Sequence, residues 1–351
     1  MRYIGGKSML LNDIEKLIAY FADNVTKIID IFSGSGIVSA HFKSLGYDII
    51  GNDFLYFAYV LSRGTTALNS TPNFSKLHIE SPIEYLNTLT LETAEIDIND
   101  CFIFQNYSPH DTTNRMYFQN ENAIKIDIIR LTIEKWKTQN LINEDEYFYL
   151  LATLIAAVPY VSNITGVYGA YLKHWDNRTF KPLTLVAPTN ICNGKAIFYN
   201  QNCDELLPEI SADLLYADPP YNSRQYLPNY HILETIARYD YPEIYGITGM
   251  RNYENQKSEF CSKSSVESAF RRMIKDANVR YIVISYNSEG LLSKEQLSEI
   301  FLKFAIKKTF RCHDIDYRRY NNVGTKSHRV TEQLYFFEKE DYLKVPKRGL
   351  N

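Results

Sequence analysis

Residues 27–36 read KIIDIFSGSG, a short apolar run that leads directly into a turn of serine and glycine. The apolar part predicts a β-strand, and the glycines predict a tight turn at its carboxyl end. Ile37–Leu45 predicts a helix, and Asp48–Gly51 predicts a second strand that is followed by Asp53. A strand, a glycine turn, a helix and a strand that ends near an acidic residue form the first βαβ unit of a nucleotide-binding sheet.

The alternation of strands and helices is found near both ends of the chain. Met9–Phe21 predicts an amphipathic helix before the first strand, and the pattern resumes after residue 190. Further elements are predicted as a helix at Leu291–Phe304 and strands at Lys195–Tyr199, Ala212–Ala217, Val279–Tyr286, Ala305–Arg311 and Glu332–Phe337. Alternating elements of this kind predict an α/β fold.

The segment between these two α/β parts has a different character. It is rich in tyrosine and asparagine, and its clearest elements are the helical stretches Ala123–Trp136 and Glu144–Ala157. We therefore expect one α/β domain formed by residues 1–60 and 190–351, with residues 61–189 inserted as a mainly helical subdomain.

Composition and charge exclude several classes of protein. Of 351 residues, 45% are hydrophobic, which allows a large core and is unlike a disordered chain. The formal net charge of −3 does not indicate a nucleic-acid binder, so any basic surface must be local. Five cysteines without a C-x-x-C pair predict reduced thiols, and with histidines that lack ligand spacing they predict no metal site. There is no signal region, and the apolar stretch Leu150–Val158 is too short to cross a bilayer, so we expect a soluble cytoplasmic protein.

The glycine turn and Asp53 are candidates for binding a ligand. Gly34 and Gly36 let the backbone approach a ligand closely at the point where a strand meets a helix. Asp53, at the tip of the second strand, is placed to hold ribose hydroxyls. The G-S-G spacing departs from the dinucleotide-binding fingerprint. A tight turn with a helix N-cap remains the alternative interpretation.

Asp218-Pro219-Pro220-Tyr221 is the sharper signal. It follows an apolar strand and therefore falls at the carboxyl edge of the sheet, where open α/β folds place their sites. Two prolines stiffen the segment and lack N–H groups, so a carboxylate and a rigid carbonyl can accept the two hydrogens of an amine. Tyr221 offers a flat face on which a planar base can stack. The alternative is a turn that ends a strand, which Pro-Pro often marks.

Three motifs together resemble the α group of adenine-N6 DNA methyltransferases, the Dam-like and FokI-like enzymes. Asp30-x-Phe32-x-Gly34-x-Gly36 resembles their motif I, and Asp218-Pro219-Pro220-Tyr221 resembles their motif IV. Arg2-Tyr3-Ile4-Gly5-Gly6-Lys7 resembles motif X, placed ahead of motif I. The resemblance implies a Rossmann-like mixed sheet of seven strands that binds S-adenosylmethionine, with the inserted subdomain recognising the target.

The resemblance also implies a role for each motif residue. Asp218 and the carbonyl of Pro219, stiffened by Pro220, would hold the N6 amine of an adenine flipped out of duplex DNA, and Tyr221 would stack on it. Tyr3 departs from the tryptophan of Dam-like members. The residues expected to bind the cofactor are Tyr3, Lys7, Asp30, Phe32, Gly34, Gly36, Asp53, Asp204 and Asp218.

DNA contacts are expected in two places. The tail Lys307–Arg329 carries seven basic residues against two acidic ones, and it includes a predicted loop. Such a tail is also compatible with a solvated basic turn. Arg224 and Gln225 directly follow motif IV and could support the flipped nucleotide or fill its gap. The candidate DNA-binding residues are Arg224, Gln225, Arg318, Arg319 and Lys326.

The same residues bear on several other functions. Gly6-Lys7-Ser8 resembles the end of a phosphate-binding P-loop, but that motif requires a glycine at position 1, which is Met1. No cysteine follows the prolines, so covalent cytosine-C5 chemistry is not supported. N4-methylation of cytosine, N6-methylation of RNA adenine and a non-catalytic DNA-binding scaffold remain alternatives. By resemblance, the expected role is the modification half of a restriction–modification pair, with a cognate endonuclease encoded nearby.

Overall fold

The structure is a computed structural model that describes residues 6–111, 113–318 and 329–341. Short apolar runs form most of its strands. In chain order these are β1 (Lys27–Asp30), β2 (Asp48–Asn52), β3 (Ala196–Tyr199), β4 (Leu214–Ala217), β5 (Ile244–Tyr245), β6 (Met250–Arg251), β7 (Tyr281–Asn287), β8 (Arg311–Arg318) and β9 (Arg329–Glu338).

Seven of these strands form one mixed sheet in the order β3-β2-β1-β4-β7-β9-β8. The first five in that order are parallel, and β9 is antiparallel to both β7 and β8. Ile29 of β1 pairs with Ile50 of β2 on one side and Leu215 of β4 on the other. The strands β5 and β6 form a separate hairpin. The predicted α/β fold with a seven-stranded mixed sheet is confirmed.

Helices cover both faces of this sheet and extend beyond one end of it. They are α1 (Leu11–Phe21), α2 (Ile37–Ser44), α3 (Tyr56–Gly64), α4 (Pro82–Thr88), α5 (Leu91–Ala94), α6 (Phe102–Tyr107), α7 (Asn120–Thr138), α8 (Glu144–Ala157), α9 (Cys203–Leu206), α10 (Leu227–Arg238), α11 (Val266–Asp276) and α12 (Lys294–Leu302). Short 3-10 turns are Ile98–Asp100, Val158–Tyr160, Asn177–Phe180, Leu207–Glu209, Glu254–Gln256, Glu259–Cys261 and Lys307–Thr309.

Alternation along the strands divides the sheet's apolar side chains between two layers. Ile28 belongs to a cluster with α1 and α2, whereas the next residue, Ile29, belongs to a cluster with α11 and α12. Both side chains are almost fully buried. The sheet is therefore covered by helices on both faces, which leaves its strand ends as the place for a ligand site.

The helical region has an apolar core of its own. Its core cluster runs from α3 through α8 and also takes in α10, which follows the Asp-Pro-Pro-Tyr segment. The helices α3 and α8 approach so closely that a Cβ atom on Gly64 would lie 2.1 Å from the carbonyl oxygen of Phe148. The helices predicted at 123–136 and 144–157 are found as α7 and α8. The domain boundaries near residues 60 and 190 stay a prediction.

The strand predicted at Ala305–Arg311 is wrong. Ile306 donates its backbone N–H to Glu338, and the chain then turns, because the Thr309 hydroxyl donates to the Ile306 carbonyl at 2.7 Å. Ala305 makes only an isolated bridge to Lys339. The strand β8 begins at Arg311, where that prediction ends, and continues into the segment expected to be a loop.

The described ranges, 6–111, 113–318 and 329–341, contain neither a membrane-spanning helix nor a metal-ligand cluster. No helix there is long and apolar enough to cross a membrane. The same ranges contain no group of three or more histidine, cysteine, aspartate or glutamate side chains arranged to hold a metal ion. All five cysteines are free.

Candidate active site

One pocket lies at the carboxyl edge of β1, β2 and β4. Its empty volume is about 1150 Å³, the solvent at its mouth included. All three sequence motifs contribute to its wall. The candidate site residues found there are Lys7, Asp30, Phe32, Gly34, Asp53, Asp204, Asp218, Pro220 and Gln225. Segments that are far apart in sequence therefore meet at the sheet edge where the fold leaves room for a ligand.

The glycine turn has a fixed conformation. Gly34 and Gly36 have φ angles of +52° and +73°, in the left-handed region that favours glycine. Asp53 holds the turn, since one carboxylate oxygen accepts the Gly34 N–H at 2.8 Å and the other accepts the Leu55 N–H at 2.9 Å. Gly36 caps α2 rather than lining the pocket, and a Cβ atom there would lie 2.6 Å from the Ser62 hydroxyl.

Asp30 lies at the floor of the pocket and is almost fully buried. Its Oδ2 accepts a hydrogen bond from the Ser39 hydroxyl at 2.7 Å, whereas its Oδ1 has no hydrogen-bond partner among the described residues. The hydroxyl of Ser33 is buried and unpartnered in the same sense. Burial, with the nearby charges of Asp218 and Asp53, raises the pKa of Asp30 to about 7. Buried polar atoms without partners indicate a place where a ligand can complete the hydrogen bonding.

Asparagine side chains join the ends of β2 and β3 beneath the pocket. Asn52 donates to the carbonyls of Ile31 and Gln201 and accepts from the Gln201 N–H. Asn200 donates to the carbonyl of Asp53 at 2.8 Å. Burial raises the pKa of Asp53 to about 6, against the lowering effect of its two backbone hydrogen bonds. The same junction presents Asp204 to the pocket, where its carboxylate accepts from Arg272 at 3.1 Å.

Asp218 faces the pocket from the end of β4 and is ion-paired. The ammonium of Lys7 lies 2.9 Å from Asp218 Oδ1 and 3.0 Å from Glu332 Oε1. Burial and the charge of Glu332 raise the pKa of Asp218 to about 6, although Lys7 acts in the opposite direction. Burial alone would lower the pKa of Lys7, but its two carboxylate partners raise it above the usual range, so Lys7 stays charged.

Pro219 and Tyr221 are not part of the pocket wall. The backbone carbonyl of Tyr221 accepts the Leu291 N–H at 2.8 Å, and its partly buried ring packs against the apolar cluster beneath α11 and α12. Asp218 and Tyr221 therefore lie on one stiff segment but do not line the same cavity.

Known proteins share this sequence over most of its length. The family model for D12 class N6 adenine-specific DNA methyltransferases matches residues 3–300. The chain belongs to this family. The predicted resemblance to the adenine-N6 DNA methyltransferases is thereby confirmed.

Individual relatives agree with this assignment. The chain is 45% identical over 349 residues to type II methyltransferase M.FokI of Planomicrobium okeanokoites, covering 97% of this chain and 53% of that protein. It is 40% identical to modification methylase StsI of Streptococcus sanguinis, covering 98% and 52%. It is 37% identical to type II methyltransferase M.NlaIII of Neisseria lactamica, covering 97% and 99%. The chain thus spans about half the length of M.FokI and StsI and almost all of M.NlaIII.

The pocket contains two features that the sequence patterns did not predict. The ring of Phe260 lies edge-on to that of Phe32, with centroids 5.3 Å apart, and both rings line the pocket. Gln225 uses both atoms of its amide on the backbone of Ser258, at 3.1 and 2.8 Å, and so fixes the segment that carries Phe260. Glu332 was also missed as a site residue. The available signal was an acidic residue in the predicted strand Glu332–Phe337.

The candidate DNA-binding residues are less completely placed. Arg224 is exposed, and its backbone carbonyl accepts from the thiol of Cys261 at 3.4 Å. Arg318 ends β8, and its side chain lies outside what the structure describes. Arg319, Lys326 and Tyr3 lie outside the described residues.

Proposed function

We propose that this chain transfers a methyl group from S-adenosylmethionine to the N6 amine of an adenine in duplex DNA. The observation that carries the proposal is that Gly34, Asp53 and Asp218 face one pocket. A site for methyl transfer needs a place for the donor and a group that holds the accepting amine, close enough for both to meet. Family membership supports the type of base and the type of nucleic acid.

The glycine turn and its neighbours suit the cofactor. We propose that Lys7, Asp30, Phe32, Gly34, Asp53 and Asp204 hold it, with Gly36 shaping the turn and Tyr3 following from resemblance alone. Asp53 offers a carboxylate to ribose hydroxyls, and the paired rings of Phe32 and Phe260 offer an apolar wall. When bound, S-adenosylmethionine supplies a methyl group on a positively charged sulfur, which the acidic side chains on the wall favour electrostatically.

The Asp-Pro-Pro-Tyr segment would bind the amine that accepts the methyl group. Asp218 and the Pro219 carbonyl would each accept one N6 hydrogen, so that the nitrogen lone pair points toward the donor. Pro220 stiffens the segment, and Tyr221, which does not line the cofactor pocket, would stack on the flipped base. No step in this scheme requires a metal ion.

The remaining assignments concern the DNA and the biological partner. Arg318, Arg319 and Lys326 would contact phosphates, and residues 61–189 would recognise the target sequence. Arg224 would support the flipped nucleotide or fill the gap that it leaves. Gln225 would support the flipped nucleotide from its position after motif IV. It also holds the backbone of Ser258 through two hydrogen bonds. The type II modification methylases among the relatives support a role beside a restriction endonuclease.

Product analysis tests this proposal directly. The chain is incubated with labelled S-adenosylmethionine and duplex DNA, and the DNA is digested to nucleosides. We expect N6-methyladenosine in its deoxy form. Label in N4-methyldeoxycytidine, or label only when RNA replaces DNA, would redirect the assignment to one of the rival amine acceptors. Tight cofactor binding with no transfer to any DNA would support a non-catalytic scaffold.

A further inference from the structure

The ion pair at Asp218 extends to a second buried carboxylate. The side chains of Lys7 and Glu332 are only 7% and 5% exposed, and their charged atoms lie 3.0 Å apart. Glu332 is itself held from β7, since Ser285 donates to its Oε1 at 2.6 Å and Asn287 donates to its Oε2 at 3.3 Å. Three strands and the segment before α1 therefore meet in one hydrogen-bonded network.

This network places two carboxylates on one ammonium. A buried charge without a partner is costly, and breaking a buried pair by removing one member is strongly destabilising. With two acidic partners, Lys7 keeps a counter-charge even when one of the carboxylates becomes neutral. A structural ion pair would need only one of them.

We propose that Glu332 is a positioning residue for methyl transfer, holding the Lys7 ammonium against Asp218 and keeping it paired while Asp218 takes up the proton that the methylated amine releases. This inference rests on the proposed function. Glu332 lies beyond residues 3–300, which the family model matches.

The proton balance shows why the second carboxylate matters. The N6 lone pair forms the new bond to the methyl carbon, and the bond from that carbon to sulfur breaks with its electron pair retained by sulfur. The amine then carries a positive charge until it releases one proton. Lys7 contacts Oδ1 of Asp218, which leaves Oδ2 to accept that proton. Lys7 and Glu332 then remain as a buried ion pair whose opposite charges cancel.

The charge of Glu332 also adjusts the acidity of Asp218. Burial is the larger cause of the raised pKa of Asp218, and Glu332 adds to it. The titratable groups that face Asp218 are Lys7, Glu332, Asp30, Tyr216 and Tyr226. Removing the negative charge of Glu332 should lower the pKa of Asp218, so Asp218 would become a weaker proton acceptor.

The test compares Glu332→Gln with wild type and with a matched control on the same strand. Glu338→Gln is that control, because Glu338 pairs with Arg280 at 2.7 Å outside the pocket. The first readout is the single-turnover rate of transfer to duplex DNA as a function of pH. The second is the pKa of Asp218 in the free chain, followed by NMR of carboxyl-labelled aspartate and assigned with Asp218→Asn.

For Glu332→Gln we expect the acid midpoint of both readouts to fall by about one pH unit and the plateau rate to fall about tenfold. Glu338→Gln should behave as wild type. An unchanged midpoint and rate in Glu332→Gln, with an active wild type, overturns this inference alone. A wild-type chain that forms no N6-methyladenine overturns the proposed function as well.

Glu332→Asp covers the case in which the glutamine variant does not fold. It keeps the charge but shortens the reach to Lys7, so the midpoint should stay near the wild-type value while the plateau rate falls. A wild-type plateau rate in Glu332→Asp would count against a positioning role. A lower rate that is accompanied by loss of the folded circular dichroism spectrum would also count against it, because Glu332 would then act on stability.

Discussion

The two halves of the pocket are held in place by different interactions. The glycine-turn half, formed by Gly34 and Asp53, is fixed by hydrogen bonds from nearby N–H groups to the Asp53 carboxylate. The proline half, formed by Asp218 with Lys7 and Glu332, is fixed by ion pairs between segments that are far apart in the chain. The first arrangement suits a rigid cradle for a ligand, and the second suits a group whose charge must change during a reaction. Substitutions in the two halves should therefore fail in different ways.

Removing the carboxylate of the proline half should have the largest effect. Asp218→Ala is expected to reduce single-turnover transfer by about 10³-fold or more, because the amine loses its orienting acceptor. Lys7 keeps Glu332 as a partner, so the fold should persist. Calorimetric binding of S-adenosylmethionine should weaken far less than transfer, because Asp53 keeps its hydrogen bonds to the glycine turn. Near-normal transfer by this variant would contradict the assignment of Asp218.

Acid should inactivate the proline half before it unfolds the sheet. The pKa of Asp218 is raised to about 6, so Asp218 is ionised above that pH and becomes protonated as the pH falls through it. We expect the transfer rate to be flat above this value and to fall about tenfold for each pH unit below it. Rapid-quench assays from pH 4.5 to 8 would measure this profile. A rate that rises toward acid pH would contradict the requirement for an ionised carboxylate.

The glycine-turn half should fail in binding rather than in rate. Asp53→Ala removes the acceptor of the Gly34 and Leu55 N–H groups as well as the proposed ribose ligand. The dissociation constant for S-adenosylmethionine should rise about 10- to 100-fold, while the rate at saturating cofactor falls less. Asp48→Ala is a matched control, because Asp48 begins the same strand outside the pocket. Its carboxylate oxygen lies 3.5 Å from the ammonium nitrogen of the exposed Lys195. Equal losses in both variants would argue against a specific role for Asp53.

The smallest effect is expected for Gln225, which holds part of the pocket wall in place and belongs to neither half. Gln225→Ala removes both hydrogen bonds to Ser258 and should lower the free energy of unfolding by about 1–2 kcal/mol. Urea unfolding would measure this change. Gln105→Ala, which removes a partly exposed side chain that donates to the Asn99 carbonyl, should cost less. If Gln225→Ala instead lost DNA binding at unchanged stability, a direct contact with DNA would explain this residue better.

Local patterns predicted the glycine-turn half almost completely. Apolar runs and turn glycines within a few residues of each other fix β1, α2 and β2, so sequence periodicity was sufficient. The strand predicted at 305–311 was wrong because pairing with β9, rather than composition, decides where β8 begins. Local sequence patterns could not predict that Glu332 and Phe260 belong to the site. Their relevance comes from contacts with Lys7 and Phe32, which only the folded sheet brings near them.

The most direct test of the shared pocket is a crystal structure of the chain with duplex DNA and an unreactive analogue of S-adenosylmethionine. We expect the analogue between Gly34, Asp53 and Phe260, with an adenine turned out of the duplex and its N6 amine within hydrogen-bond distance of Asp218. An analogue bound away from the carboxyl edge of β1 and β2, or an extruded base that does not reach Asp218, would contradict it.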